Sequence, residues 1–129
     1  MQLDEFIEVV QSRALFNSTG ATVLSIRAVL EVLGERLAKR EAERLAAQLP
    51  PEFGPFLLQP LNAGWFGLDE FLKRISRREK TTLAEAESHA RAVLSVIAEN
   101  IPPGGLHDIL TELPDGIRAL FAPMRPAVS

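Results

Sequence analysis

Glu85 and His89 are the pair in this sequence best placed to share a metal ion, because they stand four positions apart. On a helix that spacing puts both side chains on one face, and a carboxylate and an imidazole are ligands for zinc or iron. A metal site needs further ligands, and no second histidine lies nearby in the sequence. We therefore expect no metal and no other cofactor, and interpret the pair as a solvated helix face or a local ion pair. The remaining histidine, His107, lies beside Asp108 and is expected to be a polar surface residue.

An arginine cluster in the first half of the chain is the second candidate site. Arg40 and Arg44 are one helical turn apart, and Arg36 precedes them beside Glu35. Such a face could bind an anion or an acidic partner. We favour a structural interpretation, because mixed charges on helices usually form ion pairs. Glu35 and Arg36 would then join the second helix of the chain to the third.

The densest positive charge of the chain lies in residues 73–80. Cations near the C-terminus of a helix are favoured by the helix dipole, which is a structural reason for this run. A surface for phosphates or for an acidic protein is the functional reason. No aromatic residue interleaves the run and the net charge of the chain is −3, so nucleic acid is not the partner that we expect. The basic residues of the run are Lys73, Arg74, Arg77, Arg78 and Lys80.

The middle of the chain carries two adjacent aromatic residues, Trp65 and Phe66. Large aromatic side chains are mostly buried in folded proteins, so we expect both to plug the seam between the two halves of the molecule. The alternative is that the two residues form a binding anchor, since tryptophan is enriched at protein interfaces.

Two versions of one helical unit position all of these residues. Residues 27–37 return in altered form as 91–101, and Leu-Asp-Glu-Phe occurs at 3–6 and again at 68–71. The apolar residues of the two central segments recur at helical spacing, which predicts helices with buried stripes. The stripes consist of Ile26, Leu30, Leu33 and Leu37 in the first half and of Ala90, Leu94, Ile97 and Ile101 in the second.

The duplication predicts an all-α fold. We expect a helical bundle of about eight helices, built from two tandem four-helix repeats with approximate internal two-fold symmetry. Repeat 1 spans about 3–58 and repeat 2 about 68–122, with the linker 59–67 between them. The tail, residues 123–129, contains two prolines and is expected to be loosely packed.

Local signals refine this arrangement. Thr82 and Glu85 have the spacing of a capping box at the start of a helix. Gly34 lies inside the first central helix, where glycine costs about 1 kcal/mol relative to alanine unless close packing requires it. We therefore predict a tight helix crossing at Gly34. The third helix is predicted over 39–48, ending before Pro50, because the residue before a proline is pushed away from helical angles.

Length and composition limit the class of protein. At 129 residues the chain can bury a stable core without disulfides or bound metals, and we expect a single domain. The absence of cysteine excludes disulfides and fits a reducing compartment, so we predict a cytoplasmic protein. The N-terminal segment is acidic and amphipathic, unlike a signal peptide, and no apolar run approaches the length of a membrane span.

Several short motifs resemble those of a known family. These are Leu-Gly-Glu-Arg-Leu at 33–37, Leu-Ala-Ala-Gln-Leu-Pro at 45–50 and the paired Asp-Glu-Phe openings. Together they are similar to the bacterial domain-of-unknown-function family numbered 2267, over about residues 3–121. The resemblance implies a small all-helical bacterial protein, sometimes a module beside other domains, with no established activity.

The residues that can be assigned serve packing, capping and charge pairing, and none form a reactive constellation. We therefore expect a non-catalytic interaction or scaffold module that binds an unidentified protein partner or a second copy of itself. The alternative is a helical bundle that binds a small molecule or lipid in an apolar cleft between the repeats.

Overall fold

The computed structural model describes residues 1–59 and 64–124. Within these ranges the chain forms eight α-helices, a short 3-10 helix and no strand, which confirms the predicted all-α class and helix number. Most of the predicted tail and the centre of the predicted linker lie outside the described residues. The α-helices are α1 (Leu3–Ala14), α2 (Thr19–Arg36), α3 (Lys39–Ala46), α4 (Gly54–Leu58), α5 (Leu68–Glu79), α6 (Leu83–Glu99), α7 (Pro103–Thr111) and α8 (Asp115–Arg118), and the 3-10 helix spans Ala119–Phe121.

Helices α2 and α6 form the centre of the core. α2 contacts α1, α4, α5 and α6, whereas α6 contacts α1, α2, α5 and the 3-10 helix. Every residue of the two predicted apolar stripes is buried, including Leu30 and Leu94 near the middle of each helix. Full burial of one such leucine contributes about 1.5–3 kcal/mol, so these stripes are a major source of stability. None of the helices formed by the described residues is long and apolar enough to cross a membrane.

The outer helices pack across the two halves of the chain. α1 contacts α6 as well as α2, and α5 contacts α2 as well as α6. Arg13 of α1 pairs with Glu99 of α6 at 2.6 Å, while Arg78 of α5 pairs with Glu35 of α2 at 3.2 Å. These two pairs occupy matching positions in the duplicated sequence, 65 residues apart for the arginines and 64 for the glutamates. The halves are thus interlocked, while their two-fold symmetry stays a prediction.

Helices in matching positions of the two halves also have similar N-terminal and C-terminal caps. The hydroxyls of Ser18 and Thr82 accept hydrogen bonds from the amides three residues later, and Glu85 completes the predicted capping box. At the C-terminal ends of α1 and α5, Leu15 and Lys80 both adopt a left-handed backbone with φ of 58°. That conformation satisfies the last carbonyls of a helix and reverses the chain.

Gly34 marks the tight crossing that the sequence predicts. A Cβ atom at this position would stand 2.5 Å from the carbonyl oxygen of Leu57 in α4. Only glycine allows the backbones of α2 and α4 to approach this closely.

Helix α3 is shorter than predicted, because it ends at Ala46 and not at Gln48. The amides of Gln48 and Leu49 donate to carbonyls three residues earlier, at Leu45 and Ala46. The last turn is therefore tightened before Pro50, as is common where a helix ends.

Candidate interaction surface around Trp65

The predicted basic run lies on α5 and at its C-terminal end, where its arginines are held in intramolecular ion pairs. Arg74 donates to Glu70 at 2.7 Å and lies 3.7 Å from Glu35. Arg77 lies 3.7 Å from Glu70. A hydrogen bond from Arg74 lowers the pKa of the Glu70 carboxyl, with neighbouring positive charges adding to it. The arginine charge of this run is thus largely matched by the protein itself.

The other cations of the run differ in their surroundings. Arg78 bridges Glu31 at 3.3 Å and Glu35 at 3.2 Å, so it fastens α5 to α2. Lys73 and Lys80 are exposed, and the described part of the chain offers neither of them an ion pair. Arg78 therefore stabilises the contact between α5 and α2.

Helix α3 carries the other predicted arginines. Arg44 lies 3.4 Å from Glu41 and 3.5 Å from Asp108, so it connects α3 to α7. Arg40 is exposed, and no ion pair is present for it within residues 1–59 and 64–124. The two arginines therefore do not converge with Arg36 on one binding face.

The expectation that Glu35 and Arg36 join α2 to α3 is wrong. Glu35 faces α5, where it meets Arg74 and Arg78. Arg36 faces the linker instead, and its Nε donates to the carbonyl oxygen of Phe66 at 2.9 Å. Successive residues of a helix point about 100° apart, so these neighbours serve different contacts.

The expectation that both linker aromatics are buried is wrong for Trp65 and correct for Phe66. Trp65 keeps 77% of its surface exposed, whereas Phe66 keeps 8%. The guanidinium carbon of Arg36 lies 3.9 Å from the centroid of the Trp65 ring, and that of Arg74 lies 4.0 Å from the Phe66 ring. One arginine from each half of the chain thus holds one aromatic side chain. Phe66 is therefore the buried ring of the pair, and Trp65 stays at the surface.

Arg36 is the most buried charged residue of this surface, with 4% of its area exposed. Burial lowers its pKa, and the negative charge of Glu112 partly opposes that shift. Its Nη2 atom is buried and has no hydrogen-bond partner among residues 1–59 and 64–124. Leaving such a donor of a charged group unsatisfied costs more than about 1–3 kcal/mol.

A pocket of about 390 Å³ opens beside the Trp65 ring. Its wall includes Glu112, whose Oε1 accepts a hydrogen bond from the amide of Ala38 at 3.0 Å. α2, the linker and α7 all contribute to it, so it joins the two halves of the chain. We call it the Trp65 pocket, and it is lined by Arg36, Ala38, Gly64, Trp65, Thr111 and Glu112.

A smaller pocket of about 250 Å³ lies between α3 and α7. Leu45, Ile101 and Ile109 supply apolar surface, and the Arg44–Asp108 ion pair stands at the same pocket. Both halves of the chain line this pocket, and the predicted alternative of a small-molecule site between them stays a prediction.

The Glu85 and His89 side chains do not converge. Glu85 accepts from the amide and the hydroxyl of Thr82, and these hydrogen bonds lower the pKa of its carboxyl. His89 instead places its Nδ1 atom 2.9 Å from Oε1 of Glu79 and packs against Phe16. The described residues contain no group of three histidine, aspartate or glutamate side chains able to hold a metal ion. His107 is exposed, as expected.

Sequence reasoning missed Glu112 and Thr111 as members of the Trp65 pocket. They lie in Thr-Glu-Leu-Pro, the second-half counterpart of Ala-Gln-Leu-Pro at 47–50. The replacement of Gln48 by a glutamate in the second copy was a visible signal. The sequence alone could not show that this glutamate lies in a pocket, because that depends on where the linker packs.

Comparison with known proteins identifies a family without a described activity. The family model described as "Uncharacterized conserved protein (DUF2267)" matches residues 3–120. None of the curated proteins matches the chain.

Proposed function

Because the chain belongs to the uncharacterized conserved family DUF2267, we propose a role that its surface supports: a non-catalytic protein-interaction module. The Trp65 pocket is its contact surface for a protein partner. The resemblance and the architecture leave the activity open, so the proposal depends on the chemistry of this surface.

One observation carries the proposal: Trp65 is exposed over 77% of its surface and is nevertheless held on the guanidinium of Arg36. Burying an indole is among the largest favourable terms available to a folding chain. A ring that is exposed and already oriented loses little conformational entropy when a partner covers it. Tryptophan and arginine are also the side chains most enriched among residues that dominate binding energy.

The assignments of the ionisable groups support a role without catalysis. Glu85 caps α6, Arg13 and Arg78 join helices, and Glu70 pairs with Arg74. Each of these contacts has a structural purpose that accounts for the residue. The chain has no cysteine, which suits a reducing compartment, and we extend the proposal to a bacterial cytoplasm.

Affinity capture with matched variants tests the proposal. The tagged chain, a Trp65→Ala variant and a Leu24→Ala variant are used to capture proteins from a lysate of the source cells. Leu24 is also an exposed apolar residue, half exposed on α2, and lies about 18 Å along that helix from Arg36. We expect Trp65→Ala to reduce capture of a specific partner about tenfold, as the loss of a central anchor does.

Thermal unfolding of the three chains shows whether the fold is intact. A partner that binds the parental chain and the Trp65→Ala variant equally well would contradict the proposed surface. A partner lost equally from both variants would show general adhesion to apolar side chains instead.

The pocket between α3 and α7 supports a second candidate function, the binding of a small apolar molecule or a lipid chain. Its volume of about 250 Å³ lies just below the range of roughly 300–1,000 Å³ that is usual for ligand sites. Native mass spectrometry of freshly purified protein, together with titration of a fluorescent fatty acid, tests it. A bound molecule that is lost from an Ile109→Trp variant would favour this candidate, whereas binding that survives in that variant would exclude this pocket.

A further inference from the structure

The open face of Trp65 attracts positive charge. Arg36 covers one face of the ring, and the exposure of the residue leaves the opposite face to solvent. The face of an indole carries the negative part of its quadrupole and is the best aromatic partner for a cation. A second cation on the outer face would make a sandwich with the guanidinium of Arg36, which weakens the attraction of the ring, and a negative charge beside the ring can offset that loss.

Glu112 adds a negative charge at the edge of the same pocket. Its Oε1 accepts from the Ala38 amide, and no cation forms an ion pair with it in the described ranges of the chain. An acidic partner would meet repulsion from this carboxylate, whereas a basic partner would gain from it. Arg36 carries the opposite charge in this pocket, but it is 4% exposed, whereas Glu112 is half-buried, so the charge that is more accessible to a partner is negative.

We propose that the Trp65 pocket binds a basic segment of a partner protein. An arginine or lysine side chain of that segment covers the outer face of Trp65 beside the carboxylate of Glu112. This assignment rests on the proposed function, because it names the chemistry of the partner at the same surface.

The single indole of the chain provides the test. Its Nε1–H resonance is followed by NMR while a peptide with two arginines among alanines is added to the full chain. A peptide with norleucine in place of arginine, and one with glutamate, serve as matched probes. We expect a saturable shift with the arginine peptide and a Kd about fivefold larger for the norleucine peptide, as expected for loss of a cation–π contact.

A pair of charge variants tests the role of the rim. Glu112→Gln keeps an acceptor for the Ala38 amide and removes the charge, and should raise the Kd of the arginine peptide about threefold. Glu43→Gln removes an exposed carboxylate of α3 outside the pocket and should leave the Kd unchanged. Equal effects of the two variants would overturn the role of Glu112 and with it the proposal.

The remaining outcomes separate this proposal from the function on which it rests. Equal binding of the norleucine peptide, or tighter binding of the glutamate peptide, overturns the basic segment while leaving Trp65 as an anchor. An indole shift that depends on protein concentration alone, together with a dimer in native mass spectra, identifies a second copy of the chain as the occupant of the pocket. That result also overturns the proposal of a basic segment. No shift with any peptide at about 5 mM overturns it, since even a millimolar complex would register there. The proposed function itself fails only if capture of the partner is insensitive to Trp65→Ala.

Discussion

Arg36 contributes to the structure through three different contacts at once. Its Nε holds the Phe66 carbonyl, its guanidinium lies under the Trp65 ring, and its charge interacts with Glu112. A lysine could not replace it, because an ammonium has neither the planar face nor the fixed fork of donors. The residue therefore orders the linker as well as lining the pocket.

Replacing Arg36 by methionine keeps the apolar stem and removes the charged hydrogen bond to Phe66. The hydrogen bond to a charged group contributes about 1.5–3 kcal/mol, and removal of the buried, unsatisfied Nη2 donor offsets part of its loss, so we expect the free energy of unfolding to fall by about 1 kcal/mol. Urea unfolding measures it. Arg40→Met is the matched control, because Arg40 is exposed on α3, and its effect should stay within about 0.5 kcal/mol. Equal effects of the two substitutions would show that Arg36 does not order the linker.

Glu99 makes the stability of the protein depend on pH in the acidic range. The hydrogen bond from Arg13 lowers the pKa of this carboxyl from its ordinary value of 4.5 in the folded chain. Its stabilising contribution is therefore complete above pH 4.5 and is lost as the pH falls through the lower, folded value. We expect parental protein to be more stable than Glu99→Gln at neutral pH, with the difference shrinking in acid. A difference that grows on acidification, in urea titrations at several pH values, would contradict this.

At the scale of single elements, the crossing of α2 and α4 depends on Gly34. A glycine to alanine change in an open helix stabilises by about 1 kcal/mol. At Gly34 the new methyl would meet the backbone of Leu57 at 2.5 Å, and backbone cannot turn aside as a side chain can. We expect Gly34→Ala to destabilise by about 1–3 kcal/mol, as overpacking does.

Gly20 in the first turn of the same helix is the control for this prediction. A Cβ atom at Gly20 would meet nothing within 4 Å, so Gly20→Ala should be neutral or stabilising by up to about 1 kcal/mol. Thermal and urea unfolding compare the two variants. A Gly34→Ala chain as stable as Gly20→Ala would show that α4 can move away from α2.

At the scale of the whole molecule, the halves depend on each other for burial. Phe6 and Val10 of α1 are fully buried in a chain where α1 packs on α6, and α5 packs on α2 in turn. Separating the halves would expose these surfaces to water at about 25 cal/mol for each Å² of apolar area. We therefore expect neither half to have a complete core when it is alone.

A chain cut within the linker tests this dependence. Fragments 1–59 and 64–129 should each show weak helicity without a cooperative melt, because neither can cover its central helix. Mixing them should restore helicity in a concentration-dependent manner. Circular dichroism measures both effects, and a fragment that melts cooperatively by itself would contradict the interlocked arrangement.

The all-α class, the helix number and the helix caps followed from the sequence because they depend on neighbours three and four residues apart. The spacing of Leu30 and Leu33 predicted a buried helix face, and the spacing of Thr82 and Glu85 predicted the start of a helix. Glycine is unfavourable inside a helix, so Gly34 predicted a close approach of two helix backbones. The sequence did not show that the approaching residue is Leu57.

The binding surface was decided only by the tertiary structure. Glu112 reaches Ala38 across 74 residues of sequence, and Arg36 meets Trp65 and not α3. Which of two adjacent aromatic rings fills the seam depends on the space that the packed helices leave, and that space admits Phe66. Spacing along a chain determines which residues share a helix face, whereas the meeting of faces depends on how the helices pack, and the Trp65 pocket is a product of that packing.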